Sequence, residues 1–481
     1  MLNQIVKNST LLLLGQVLGR FFSFLTVPLL VRGLGPKDFG AFSMATAILS
    51  LAGILAGFGV DQLIIREIAK YPGQKKGFFF AGLRAKIIGS LIVIGLITGL
   101  NYGINLFGFD HKSQIALTLL SLCIIFNGVV TLVSSYYYGQ QKMAVGSALG
   151  LILYLANFIG IYLIFKGQPT VVGFALALAL SSAATALCVI PFVIRRSLSQ
   201  EAPSGLPLYT VRRRIFTATP FMFMGLSLVV YYKIDIFCLS YLAGQEAVGI
   251  FSAASRFLEA LMFIPAALMG ALFPALSTLT ASAREDIPRV LERSLRYLAL
   301  AGIPAAAGIF ILAPQIVELL YGGNWGETAH NLQILIWTWG LIFIYAVCPV
   351  ALNALGNTRI NVVIIIVGVF FKIGLNFLLI PRFGTIGACW TTLLVEAVSA
   401  ILYFSYALHV AGRFKIMRNI LHPIAASALM CIILTGIQKM SGVNSIPVII
   451  VAGILTYSLY FCATRAVTFK ELCEIFYRRK G

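Results

Sequence analysis

Residues 27–69 read VPLLVRGLGPKDFGAFSMATAILSLAGILAGFGVDQLIIREIA: the end of one apolar helix, a tight Gly-Pro turn, a second apolar helix and an Arg-bearing exit. Part of this stretch recurs 209 residues later, where GQEAVGIFSAA at 244–254 aligns without gaps on GPKDFGAFSMA at 35–45. The alignment matches Gly35 to Gly244, Gly40 to Gly249, Phe42 to Phe251 and Ser43 to Ser252. A helix-turn-helix duplicated at that spacing predicts two homologous halves, the usual build of an alternating-access transporter.

The chain has 481 residues, of which 59% are apolar, well above the roughly 45–50% of soluble domains. Runs of about 20 apolar residues mark spanning helices, and fourteen are expected, centred near residues 20, 51, 95, 126, 155, 181, 228, 260, 302, 342, 370, 398, 428 and 456. No stretch between them is long enough for a folded soluble domain. The longest connection, 195–214, is basic and carries Pro203, Gly205 and Pro207, so it reads as a linker. The expectation is an all-α polytopic membrane protein: an N-terminal six-helix lobe (1–197), a cytoplasmic linker (198–212), a pseudo-symmetric C-terminal six-helix lobe (213–412), and two extra helices with a basic tail (413–481). No cleavable signal peptide is evident. The eight cysteines are scattered without a CxxC pair, so neither a metal site nor a disulfide frame is expected.

The net charge of +20 could mean nucleic acid, and position decides against it. With the N-terminus in the cytoplasm, 26 of the 36 Lys and Arg residues fall in cytoplasmic segments, six in the opposite loops and four inside spans. That skew places both termini in the cytoplasm and spends the charge on topology and on anionic phospholipid heads, with no nucleic-acid partner. A second echo, YGQQKMAVG at 138–146 against LGNTRINVV at 355–363, puts Lys142 opposite Arg359 and, with a small gap, Asn157 opposite Asn376.

Charges within spans are costly, about 2.5–3.5 kcal/mol each at mid-bilayer on insertion scales. Arg20 shares a helix face with Gln16 and Ser23; it is either a structural snorkelling residue or a cation lining a polar cavity. Arg256 and Glu259 can pair at i,i+3. Lys233 and Asp235 are two apart and must find partners elsewhere or face water, so an unpaired Asp235 is a candidate cation or proton site. Lys372 and Asn376 are one turn apart, as are Thr392 and Glu396; a Lys372 bridge to Glu396 or to Asp235 is the structural alternative. Asp61 is read as structural, beside Arg66. In the repeat, Asp235 falls opposite Thr26, Lys233 opposite Phe24, Arg256 opposite Ala47 and Arg20 opposite Val229. The fold repeats but the charges do not, which predicts lobes with different ligands. A Walker loop is absent, and His111, His330, His409 and His422 are dispersed, so catalytic chemistry has no evident seat.

LGPKDFGAFSMA at 34–45, GFGVDQLIIREIA at 57–69 and GQEAVGIFSAASRF at 244–257 resemble the Wzx-type polysaccharide flippases of the multidrug/oligosaccharidyl-lipid/polysaccharide exporter superfamily. That resemblance implies a transporter of the cytoplasmic (inner) membrane, not an enzyme, moving undecaprenyl-pyrophosphate-linked oligosaccharide units for O-antigen or capsule. Arg20 and Arg256 match positions where related lipid II flippases carry cavity arginines. With Lys233 and Lys372 they form the expected cationic, substrate-binding set, arginine suiting a diphosphate by its fixed donors and permanent charge. Asp235, Asn376 and Thr391 resemble a sodium site of those relatives. Together with Glu396 they are the candidate ion-coupling residues, for Na+ or H+, although Lys372 beside Asn376 would disfavour sodium. No other cofactor is implied. The expected partners are the lipid-linked oligosaccharide, anionic phospholipids, and a polysaccharide polymerase and chain-length regulator, with the protein acting as a monomer. The alternatives are a lipid II flippase, a cation/drug antiporter of the same superfamily, and a membrane glycan polymerase or ligase, which would need a large outward loop.

Overall fold

A computed structural model describes residues 2–105, 107–193, 219–282, 284–441 and 446–464. The linker expected at 198–212 and the basic tail beyond 464 lie outside the described residues. Among the described residues every long element is helical and no strand occurs. The order is α1 (Leu2–Gly57), α2 (Val60–Lys70), α3 (Lys75–Gly103), α4 (His111–Gly139), α5 (Met143–Lys166), α6 (Val171–Val193), α7 (Thr219–Leu242) and α8 (Gly244–Leu261). Then follow α9 (Phe263–Ser282), α10 (Ile287–Tyr321), α11 (Gly326–Tyr345), α12 (Val347–Ala354), α13 (Thr358–Ala411), α14 (Ile416–Ser441) and α15 (Ile446–Thr464). Apolar side chains clothe these segments while the backbone N–H groups of the helix interiors are satisfied within each helix, as hydrocarbon requires. Eleven described helical segments are long and apolar enough to cross a membrane, and the chain is a multi-pass membrane protein.

Two helices are too long for one crossing. α1 has 56 residues and α13 has 54, about 80 Å each at 1.5 Å per residue against a hydrocarbon core of about 30 Å. Each is broken by a glycine, α1 at Gly35 (φ 74°) and α13 at Gly384 (φ 57°). Gly244, the repeat partner of Gly35, opens α8 with φ 84°. A Cβ on either Gly35 or Gly244 would meet nothing within 4 Å. Glycine is needed there for the left-handed backbone and not for space. Pro36 then begins the next arm, where its missing N–H is harmless. Gly384 lies 217 residues after Gly167, which closes α5, and the same offset carries Lys142 onto Arg359.

The duplicated motifs pack against one another. A Cβ on Gly40 would stand 1.7 Å from the carbonyl oxygen of Gln245, and one on Gly249 would stand 1.9 Å from that of Pro36. Pro36 and Gln245 are themselves a repeat pair, so each copy presents the same patch to the other, the signature of a local two-fold relation. Polar details repeat as well: Thr46 Oγ1 donates to the Ser43 carbonyl (2.9 Å) and Ser255 Oγ to the Ser252 carbonyl (3.1 Å). Close helix approach of this kind needs small residues.

Two compact units emerge, one of Met1–Phe263 with Ile365–Ala388, the other of Ile264–Ile364 with Cys389–Gly481. In the first, Ile64, Ile68, Phe79, Leu132, Tyr136 and Val193 form a buried cluster joining α2, α3, α4 and α6. In the second, Ala307 and Ile311 on α10 pack with Met430 and Leu434 on α14 and Ile449 on α15. The C-terminal helix pair is thus anchored to α10, and the Tyr457 hydroxyl donates to the Leu300 carbonyl at 2.9 Å.

Candidate functional site

The costly charges of the first unit fall into defined groups. On α7 and α8, Lys233 Nζ lies 2.6 Å from Glu259 Oε1, and Arg256 Nη1 lies 3.1 Å from Glu259 Oε2. Arg256 Nη2 also donates to Thr46 Oγ1 of α1 at 3.0 Å. The expected i,i+3 pair therefore exists, and Lys233, which the helix period left without a partner, shares the same carboxylate. Two cations held by one acid leave an excess positive charge, and 43% of the Glu259 side chain is exposed. Each cation takes one oxygen of a bridging anion, the arrangement a diphosphate could adopt. Replacing Glu259 by glutamine removes the internal anion while keeping shape. It should raise affinity for inorganic pyrophosphate by about tenfold, the strength of one charge-assisted contact. Titration calorimetry at two salt concentrations checks this, and unchanged affinity would show that Glu259 does not compete for the site.

Arg20 is different. It lies on the first arm of α1, exposed together with Gln16 and Ser23 along one face, and has no ion pair among the described residues. An edge-on contact of Phe24 with Phe257, ring centroids 5.9 Å apart, ties its helix to that of Arg256.

Lys372, Asp235 and Asn376 are buried. Lys372 Nζ lies 2.6 Å from Asp235 Oδ2, with both side chains 3% exposed. Asn376 Nδ2 donates to Asp235 Oδ1 at 2.8 Å, and Lys372 Nζ donates to the Tyr231 carbonyl at 3.1 Å and lies 5.2 Å from the Tyr231 ring. The structural alternative for Lys372 is the one observed, with Asp235 as partner. Asp235 is therefore neither unpaired nor facing water. Its two oxygens are engaged, so an ammonium stands where a sodium ion would need to sit, and the residues fit sodium poorly while Lys372 is charged. Thr391 and Glu396 belong to the second unit. Thr391 is buried with its hydroxyl unpartnered, and Glu396 accepts a hydrogen bond from Tyr345, whose ring stacks on Tyr403 at 5.3 Å.

One further group was not singled out from the sequence. Asp61, read as a neighbour of Arg66, instead binds Lys86, at 2.6 Å to Oδ1 and 2.8 Å to Oδ2, while Arg66 pairs with Glu67 at 3.0 Å. Lys86, one of the 26 basic residues that the sequence assigns to cytoplasmic segments, is buried inside α3. Its ammonium also donates to the Gly128 carbonyl (3.0 Å) and Thr131 Oγ1 (2.7 Å), and Ser135 Oγ donates to Asp61 at 3.2 Å. The break at Phe58 and Gly59, both with positive φ, places Asp61 in the first turn of α2. There the positive end of the helix dipole favours a carboxylate. Asp61, Lys86, Gly128 and Thr131 border a cavity of about 280 Å³ with walls from α1, α2, α3 and α4. The available sequence signal was Asn127, Thr131 and Ser135, a polar stripe at four-residue spacing on α4.

Residues 5–280 match the family described as "Polysaccharide biosynthesis protein", and residues 212–455 match that described as "Lipid II flippase MurJ". The chain is 23% identical to the "Probable low-salt glycan biosynthesis flippase Agl15" of Haloferax volcanii, over 98% of this chain and 99% of that protein. It is 24% identical to a "Putative O-antigen transporter" of Shigella flexneri, over 80% and 93%. Among solved structures, the lipid II flippase MurJ in an inward closed conformation superposes with a TM-score of 0.78 at 16% identity, covering 98% of this chain and 99% of that one. At that identity the likeness is one of fold.

Proposed function

Because the chain belongs to the polysaccharide flippase family of the multidrug/oligosaccharidyl-lipid/polysaccharide exporter superfamily, we propose that it moves an undecaprenyl-pyrophosphate-linked oligosaccharide repeat unit across the cytoplasmic membrane by alternating access. A sugar carries many hydroxyls, and each one taken unpaired into hydrocarbon costs a few kcal/mol, so the unit does not cross unaided. The observation that carries the reading is the guanidinium of Arg20, without an ion pair among the described residues, on a helix packed against the one that holds Arg256. With the surplus charge of the Lys233–Glu259–Arg256 cluster, it suits a pyrophosphate whose prenyl tail stays in lipid.

Both glycine breaks, together with the shorter α15, support fourteen crossings; the duplicated motif supports two six-helix lobes followed by a C-terminal pair, and the skew of basic residues supports termini that are both cytoplasmic. The chain is a transporter and not a polymerase or ligase. It acts as a monomer amid anionic phospholipids, and its product passes to a polysaccharide polymerase and chain-length regulator. If transport is ion-coupled, a proton fits better than sodium, since sodium would have to displace Lys372 from Asp235. Glu396, buried in the second unit, is where such a proton would rest.

Reconstitution in proteoliposomes with fluorescent lipid-linked oligosaccharide tests the reading. Arg20→Ala should slow flipping about 10- to 100-fold, the loss of a charge-assisted contact, without impairing membrane insertion. Flipping at the wild-type rate would remove Arg20 from the site. The match of residues 212–455 to the MurJ family favours lipid II as the second reading. Wild-type protein that flips lipid II but not the oligosaccharide would establish that one.

A further inference from the structure

We infer that the cavity bordered by Asp61 and Lys86 is a binding site for a neutral polyhydroxyl ring, one hexose-sized unit, separate from the cationic cluster. This rests on the flippase reading for its biological setting, but the ligand class follows from the groups themselves. The cavity measures about 280 Å³, several times the roughly 30 Å³ share of one water, which is room for a sugar ring. Its wall is mostly apolar, with a polar strip where α2, α3 and α4 meet, formed by Asp61, Lys86, Ser90, Asn127 and Thr131, and Gly53 on α1 also lines it.

The donor and acceptor inventory decides among ligands. The Lys86 ammonium directs its protons to Asp61, to the Gly128 carbonyl and to Thr131, at 2.6–3.0 Å. With three donors in all, it has none left for an anion, and an anion would also meet the Asp61 carboxylate. A cation would meet the buried ammonium 2.6 Å from that carboxylate. What remains is acceptor capacity on Asp61, which is 36% exposed, and the amide of Asn127, a lining residue whose Oδ1 is buried without a hydrogen-bond partner and must turn into the cavity to gain one. Those groups want hydroxyl donors, and an unsatisfied buried acceptor is costly enough to reward a ligand that supplies one. A neutral polyol supplies such donors without a charge to desolvate. The Asp61–Lys86 pair, closed on itself, then acts as a fixed dipole.

The test uses full-length protein in phospholipid nanodiscs, which carry no glycosidic detergent, and methyl hexosides as the probe in saturation-transfer NMR. Wild type should transfer saturation to the ring protons, with different hexosides competing. Two variants should weaken this at least about fivefold, the affinity carried by one average hydrogen bond. Asn127→Leu deletes the amide, and Gly53→Leu fills the cavity from a position where an added Cβ meets nothing within 4 Å. Equal transfer in all three proteins, no transfer in wild type, or loss of transfer on adding inorganic pyrophosphate would each overturn the inference. The flipping assay separates this from the broader reading. If wild type flips lipid-linked glycan but binds no hexoside, only the sugar pocket falls; if wild type flips nothing, the flippase reading falls whatever the hexosides do.

Discussion

Replacing Lys372 by methionine is expected to cost about 3–5 kcal/mol of stability, the usual penalty when one partner of a buried ion pair is removed. Asp235 would lose the ammonium that lies 2.6 Å from it while staying at 3% exposure. The thermal midpoint of purified protein reads this directly. The double variant Asp235→Asn/Lys372→Met should recover most of the loss, because the stranded carboxylate is gone; equal destabilisation in single and double variants would mean that packing and not charge holds the pair. The single variant has a second expected property. With the ammonium removed, the Asp235 oxygens and the unpartnered Asn376 Oδ1 become available to a small cation. Sodium should then raise the midpoint of Lys372→Met more than potassium does, by binding only the folded state, and should leave wild type unmoved. A sodium shift in wild type would show that Lys372 does not occupy the cation position.

The second large effect lies at the crossing of the repeats. Gly249→Ala would place a methyl 1.9 Å from the Pro36 carbonyl oxygen, and Gly40→Ala one 1.7 Å from that of Gln245. The atoms struck are backbone, not the ends of flexible side chains, so the helices must separate. The cost should exceed the ~1–3 kcal/mol of ordinary overpacking and abolish transport. Gly53→Ala is the matched control: it is also inside α1, its Cβ meets nothing within 4 Å, and it should be neutral or gain up to about 1 kcal/mol from helix propensity. Equal behaviour of Gly249→Ala and Gly53→Ala would show that the crossing does not depend on glycine.

The candidate site was legible unevenly. Arg256 and Glu259 could be paired from the sequence because three residues along a helix fix a common face. Lys233 could not, since its partner lies on another helix 26 residues away. The Asp61–Lys86 pair was missed for the same reason. The closer Arg66 drew the assignment, while the break at Phe58 and Gly59 turned Asp61 toward α3. Asp235 with Lys372 was one of two open alternatives, and the 136 intervening residues carry no information about which acid a lysine meets.

The sequence alone determined that this is a multi-pass helical membrane protein with a duplicated motif, because hydrocarbon admits long apolar helices and left-handed turns demand glycine at Gly35 and Gly244. It also marked which charges are costly. Only the tertiary structure decided what each one meets, leaving Arg20 without an ion pair among the described residues, sharing Glu259 between two cations and closing Lys372 on Asp235. The physical reason is range: helical periodicity reaches four residues along one segment, whereas a buried charge is satisfied by whichever helix packing brings within 3 Å.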